Sequence, residues 1–233
     1  MVFGFYHRIF IEKRNQNKVT KQPLFGVLGD PHIIHRVTDN KWWGINELER
    51  RVKLLNDVKG LKYVLVTGDL SHNGKPTEFA MAKRVLKKLK AKCFCCAGNH
   101  DYSNIAEYRK IIGLVQYAVK IGQYNLLVLS QNGWMAFPLK FDRRLPSIAL
   151  KHIALRIRNN KLVPSNVEAF LFKHNVKYVF QGHYHGQFFS KIISKGDRDI
   201  TRNGIRYITC GASEVGIGRL CDPMIYNPLT KAC

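Results

Sequence analysis

The stretch Cys93–Asp101, CFCCAGNHD, decides the reading of the whole chain: a short apolar run stops at Gly98 and is followed at once by Asn99, His100 and Asp101. Such a run predicts a buried strand, and a glycine at its end lets the backbone turn sharply so that the next polar side chains converge on one point. The same plan recurs elsewhere. Leu24 to Leu28 runs into Gly29, Asp30, Pro31 and His32, and Tyr63 to Thr67 runs into Gly68 and Asp69. Val176 to Phe180 runs into Gln181, Gly182, His183, Tyr184 and His185. Asp and Asn at one strand end commonly cap a turn. Four apolar strands that all end in glycine-adjacent Asp, Asn or His predict a shared site instead.

At 233 residues the chain can bury a sizeable core. A single domain over 23–233 is expected, with the aromatic-rich and then basic residues 1–22 as an extension outside it. Lys and Arg number 38 against 16 acidic residues, a formal charge of +22, which suits an anionic partner such as a nucleotide or nucleic acid. Cys93, Cys95 and Cys96 fall in one expected strand, which sends the first two sulfurs to one face and the third to the other. That spacing is neither a zinc knuckle nor a disulfide framework, so reduced thiols and a cytoplasmic location are expected. The apolar opening Met1–Ile11 is broken by His7 and Arg8, too short to span a bilayer and wrongly ordered for a signal peptide.

Between the site-bearing strands lie helical patterns. Ile45, Leu48, Val52 and Leu55 keep helical spacing before Gly60, and Phe79, Ala82, Val85, Leu86 and Leu89 do so within an expected helix over 77–90. A third helix is expected near 104–112. Alternation of strand and helix implies a mainly parallel sheet, in which ligands gather at the carboxyl ends of the strands. The second half differs. A hairpin of 117–121 and 124–130 about Gly122 and Gln123 is followed by a strand at 147–152 and by a helix to His174 opened by a Ser165/Glu168 capping box. Strands at 188–194 and 205–210 are expected to be joined by a polar turn over 195–203.

Asp30 and His32 are two apart on an extended loop, so both can face one cation if Pro31 points away, and His183 and His185 repeat that spacing. Oxygen and imidazole ligands without thiolate favour manganese, iron or zinc over calcium or magnesium alone. Asp69, the sole carboxylate of its loop, could bridge two such ions, with Asn99 a neutral ligand to the second.

In order and spacing these motifs resemble those of the calcineurin-like metallophosphoesterases. The D-x-H, GD, GNH, H and GHxH series of that family is matched by DPH at 30, GD at 68, GNHD at 98, His152 and GHYH at 182. The resemblance implies an α/β fold of two mixed sheets packed as a sandwich and flanked by helices. It implies a first ion held by Asp30, His32, Asp69 and His185, a second held by Asp69, Asn99, His152 and His183, and His100 as the catalytic imidazole, with His72 and Asp101 behind them. Two divalent ions are therefore expected, manganese first among them, with a metal-bridging hydroxide attacking phosphorus in line.

His152, in SIALKHIALR, lacks the second histidine or proline that often follows this ligand in the family. The loop GDLSHNG carries His72 where the family's protein phosphatases carry an aspartate, and their GDxVDRG signature is absent, which disfavours a protein phosphatase. The loop is similar to that of the class III cyclic nucleotide phosphodiesterase branch. Hydrolysis of phosphodiester bonds in nucleotides is the leading expectation. A DNA or RNA nuclease is the alternative, favoured by the net charge and by Lys140, Arg143, Arg144, Lys151, Arg156, Arg158 and Lys161 around the His152 strand. An inactive interaction module is a third reading, disfavoured because every ligand type is present.

Overall fold

The computed structural model describes residues 23–131, 140–155, 165–183, 199–211, 214–218 and 225–228; the extension 1–22, the strand expected at 188–194 and His185 lie outside them. β1 (Leu24–Leu28) is followed by a small hairpin of β2 (Ile34–Arg36) and β3 (Lys41–Trp43). Then come α1 (Ile45–Asp57), β4 (Leu61–Val66), α2 (Pro76–Leu86), β5 (Lys92–Cys95) and α3 (Ile105–Ile111). The second half contributes β6 (Tyr117–Ile121), β7 (Tyr124–Val128), β8 (Ser147–Ile153), α4 (Ser165–Lys173), β9 (Val176–Gly182), β10 (Asp199–Arg202) and β11 (Ile205–Thr209). β12 (Glu214–Gly218) and β13 (Ile225–Pro228) complete the described elements.

These strands form two mixed sheets, one ordered β13-β12-β1-β4-β5 and the other β10-β11-β9-β8-β7-β6. β1, β4 and β5 are parallel, each return being made by a helical crossover. In the second sheet β7, β8, β9 and β11 are parallel, with β6 and β10 antiparallel at the edges. Phe25, Val27 and Leu65 of the first sheet meet Leu126, Val128, Ile148, Leu150, Phe180 and Ile208 of the second in a fully buried layer. The outer face of the first sheet is covered by α1 to α3, whose Leu48, Val52, Leu55, Phe79, Ala82, Val85 and Tyr108 pack on Leu28, Val64 and Val66. α4 covers the second sheet through Val167, Phe170 and Leu171 against Leu127, Ala149 and Val179. Helices thus flank a sandwich of sheets. Among the described residues no helix is long and apolar enough to cross a membrane.

The cysteines follow the pleat: Cys93 and Cys95 pack on the helix side with their sulfurs 3.9 Å apart, and Cys96 lies in the layer between the sheets. The polar turn expected over 195–203 is overturned in its second part. Asp199–Arg202 is β10, paired antiparallel with β11, and the chain reverses at Asn203 and Gly204, both at positive φ (49° and 74°). A bidentate ion pair from Arg206 Nε and Nη2 to the Asp199 carboxylate joins the two strands, which is how a charged segment becomes a strand. α2 ends at Leu86 rather than Lys90, its last residues tightening into turns in which Lys88 and Leu89 N–H reach the carbonyls three residues back. Strands β2, β3, β12 and β13 were not legible at all.

Gly29, at the end of β1, abuts the carbonyl of Gly211 just after β11, so a methyl there has no room. Gly29→Ala is expected to cost about 1–3 kcal/mol of stability through overpacking, read as a lowered denaturation midpoint. Unchanged stability would show that these two chain segments are free to separate.

Candidate metal centre

Every parallel strand that carries a predicted site residue ends at the same edge of the sandwich. Alternation sends Ile148, Leu150 and His152 of β8 to one face, so the run that builds the inter-sheet layer delivers His152, 1% exposed, to its rim. The His152 ring crosses to the first sheet, where its Nδ1 lies 2.8 Å from the carbonyl of Thr67. From the other side Thr67 Oγ1 donates to Asp30 Oδ1 at 2.9 Å, and the His183 N–H donates to Asp30 Oδ2 at 2.8 Å. The strand ends of the two sheets are thus stitched together through Asp30, Thr67, His152 and His183.

Asp69 sits among imidazoles. Its Oδ2 is 3.2 Å from His152 Nε2 and 3.4 Å from His32 Nε2, and its Oδ1 accepts the His100 N–H at 2.9 Å. Asn99 Oδ1 lies 2.8 Å from His152 Nε2 and 2.9 Å from His183 Nδ1, and those two nitrogens are 3.2 Å apart. Neighbouring ligands about 2.1 Å from an octahedral ion stand about 3 Å apart, so these atoms are spaced as one coordination shell. Asp69, His152 and His183 form one group that could hold a metal ion, and Asp30, His32 and Asp69 form another sharing Asp69. The structure therefore brings together Asp30, His32, Asp69, Asn99, His100, His152 and His183; His185 lies outside the described residues.

The backbone is bent to achieve this. His32, Asp69 and His183 all hold positive φ (45°, 49° and 73°), a conformation uncommon for residues with side chains and concentrated at functional sites. Close approach is equally tight at Gly98, where a Cβ would collide with the Asp69 carboxylate and backbone nitrogen.

Electrostatics follow from burial. Burial raises the Asp69 pKa, but the hydrogen bond and charge of His152 and the charge of His32 outweigh it and leave the carboxylate below its usual range. Burial likewise disfavours charge on His152, yet its bond to Asp69 and the charges of Asp30 and Asp69 raise it to about 9. Without an ion, a proton at His152 balances the buried carboxylates.

Three supports went unread in the sequence. Thr67 bonds both Asp30 and His152, and nothing in VTGD marks it. Fully buried Glu78 accepts from the His35 and Asn73 N–H groups, Asn73 Nδ2 and Ser71 Oγ, holding the loop that carries His72; the signal was a glutamate in the first turn of an otherwise apolar helix face. Burial favours a neutral Glu78, but those bonds bring its pKa below the usual value. Arg51, buried in α1, donates to the Gly29 carbonyl at 2.8 Å, directly before Asp30. Lys151, expected among the cations of a nucleic-acid surface, is instead 4% exposed, bonds the carbonyls of Ser130 and Gln131, and is lowered to about 8 by burial. Alternation along β8 places it on the face opposite His152.

Residues 23–187 match the calcineurin-like phosphoesterase family, and the chain belongs to that family. No curated protein matches the sequence. Among solved structures the fold is similar to purple acid phosphatase PPD1 from yellow lupin (Lupinus luteus) seeds, at 13% identity and a TM-score of 0.51 over 71% of this chain. The match spans only 38% of that phosphatase. GAP50, the anchor in the inner membrane complex of Plasmodium, is similar at 13% identity and a TM-score of 0.52, over 82% of this chain and 72% of that one.

Asp101 locks the two central loops together, accepting the N–H groups of Leu70, Ser71 and Gly98 at 3.2, 3.0 and 2.8 Å from full burial. Burial pushes its pKa up to about 7 against the pull of those bonds. In Asp101→Asn one carboxylate oxygen becomes an N–H₂ facing a backbone donor, which should cost about 1–3 kcal/mol. Denaturant unfolding measures it, and wild-type stability would show that the three bonds are dispensable.

Proposed function

We propose that the chain is a metal-dependent hydrolase of phosphodiester bonds in nucleotides, with Asp30, His32, Asp69 and His185 around one divalent ion and Asp69, Asn99, His152 and His183 around the other. The observation that carries the proposal is the spacing of Asp69 Oδ2, Asn99 Oδ1, His152 Nε2 and His183 Nδ1 at 2.8–3.2 Å around one point, with Asp69 also facing His32. Divalent cations held there, manganese the first choice, would supply Lewis-acid charge to the phosphoryl oxygens and acidify the attacking water.

The remaining steps belong to the chain. Thr67 and the His183 N–H hold Asp30 in one orientation, and the Thr67 carbonyl fixes the His152 ring so that Nε2 faces the centre. His100 Nδ1 lies 2.7 Å from the His72 carbonyl. Donation there leaves Nε2 to contact a phosphoryl oxygen or carry a proton to the leaving group. A small diester is the first choice on the likeness of the GDLSHNG loop. Of the cations around β8, Lys140, Arg143 and Arg144 precede the strand, about 17 Å of strand from His152, Arg144 is paired with Asp142, and Lys151 is buried, while Arg156, Arg158 and Lys161 lie outside the described residues.

Asp69→Asn keeps an oxygen for the His100 N–H and tolerates the positive φ, but removes the shared charge. Manganese affinity should fall by about tenfold or more at both positions, as followed by electron paramagnetic resonance of free manganese, and unchanged affinity would sink the assignment. Because metal must displace the proton that His152 holds up to about pH 9, affinity should climb as pH rises from 7 to 9, with protons released on binding. Turnover of a small nucleotide diester should survive moderate salt. Cleavage confined to DNA or RNA, falling by about three to five decades of affinity over a fourfold rise in salt, would favour the nuclease instead.

A further inference from the structure

Beside the carboxylate-rich centre lies a cluster of a different composition. His32, His72 and His100 each present a ring nitrogen within 4.8 Å of the others, and none is fully buried. His32 and His72 face each other through their Nδ1 atoms at 3.3 Å. His72 and His100 stack with ring centroids 4.6 Å apart, and His32 meets His100 edge-on at 4.8 Å. The position at His72 belongs to none of the ligand sets assigned above.

We propose that His32, His72 and His100 form a second, imidazole-only cation site, which takes zinc and thereby inhibits the enzyme. Two nitrogens each about 2.0–2.1 Å from a tetrahedral zinc stand about 3.3–3.4 Å apart, the separation found between His32 Nδ1 and His72 Nδ1. The two nitrogens face each other closely enough for one zinc to meet both. The third ligand is prepared in the usual way. Donation from His100 Nδ1 to the His72 carbonyl leaves Nε2 as a lone-pair donor, as in metal-binding histidines whose other nitrogen bonds a carbonyl. A fourth position stays open to water.

The donor set decides both the ion and the consequence. Three imidazoles without a carboxylate suit zinc, whereas manganese and magnesium prefer the oxygen-rich shell next door. A neutral His32 has one lone pair. Given to zinc through Nδ1, it leaves a proton on Nε2, which lies 3.4 Å from Asp69 Oδ2, so the Asp30/His32/Asp69 position loses its imidazole. Zinc also occupies the His100 nitrogen that the proposed reaction needs. The inhibitory consequence rests on the proposed hydrolase, but the site itself does not.

The test has two arms. In the first, zinc is titrated into manganese-activated hydrolysis of bis(p-nitrophenyl) phosphate, each variant being compared with its own zinc-free rate. His72→Phe should need at least about tenfold more zinc for half-inhibition, and His72→Cys, whose thiolate also binds zinc, should return towards the wild-type value. In the second arm, which needs no activity, equilibrium dialysis counts zinc on Asp69→Asn. Asp69→Asn should hold one zinc per chain more than Asp69→Asn/His72→Phe. Equal zinc sensitivity of wild type and His72→Phe, no zinc on Asp69→Asn, or equal zinc on the double variant would each overturn the site. A His72-dependent zinc in a protein that lacks manganese-dependent hydrolysis would uphold the site and remove the hydrolase reading instead.

Discussion

Two carboxylates, those of Asp30 and Asp69, lie about 1% exposed with oxygens that close within 4.8 Å around His32, and the rest of the centre answers to that constraint. Like charges at this spacing away from water are costly unless hydrogen bonds and opposite charge compensate them. The chain supplies both. Asp30 accepts from Thr67 and from the His183 backbone, Asp69 accepts from the His100 backbone, and His152 stands between them with its pKa raised to about 9. A divalent ion replacing that proton would neutralise the same carboxylates more fully, so the arrangement is poised for cations.

The sandwich makes such a cluster affordable. Parallel pairing in both sheets puts the carboxyl ends of β1, β4, β5, β8 and β9 at one rim, and the apolar layer between the sheets fixes their separation. The local distortions at His32, Asp69 and His183 are tolerated because each is pinned by bonds beyond itself: His32 N–H to the Asp69 carbonyl, the Asp69 carboxylate to the His100 N–H, and His183 N–H to Asp30.

How much of this was legible depends on whether the information is local. The β1, β4, β5, β8 and β9 strands and the α1 face announce themselves through apolar runs and helical spacing, and the glycine-to-Asp, Asn or His transitions mark where the strands end. The cluster at the rim was legible for the same reason, because parallel alternation sends strand ends one way. What failed is long-range. β12 is a strand because β1 offers it an antiparallel edge, and β10 because β11 and the Asp199–Arg206 pair hold it, neither of which its own residues declare. Lys151 looked like a surface cation because nothing local tells which face of β8 lies under the loop at Ser130 and Gln131. Thr67 and Glu78 were missed because a hydroxyl and a carboxylate acquire their roles only from partners brought near by the fold.

Anomalous diffraction from crystals of the wild-type protein equilibrated with manganese tests the central claim most directly. Two peaks roughly 3.5–4 Å apart are expected, with Asp69 between them, Asp30 and His32 beside one, and Asn99, His152 and His183 beside the other. No peak at this rim, or a single peak that leaves either Asp30 and His32 or Asn99, His152 and His183 without a metal contact, would contradict it.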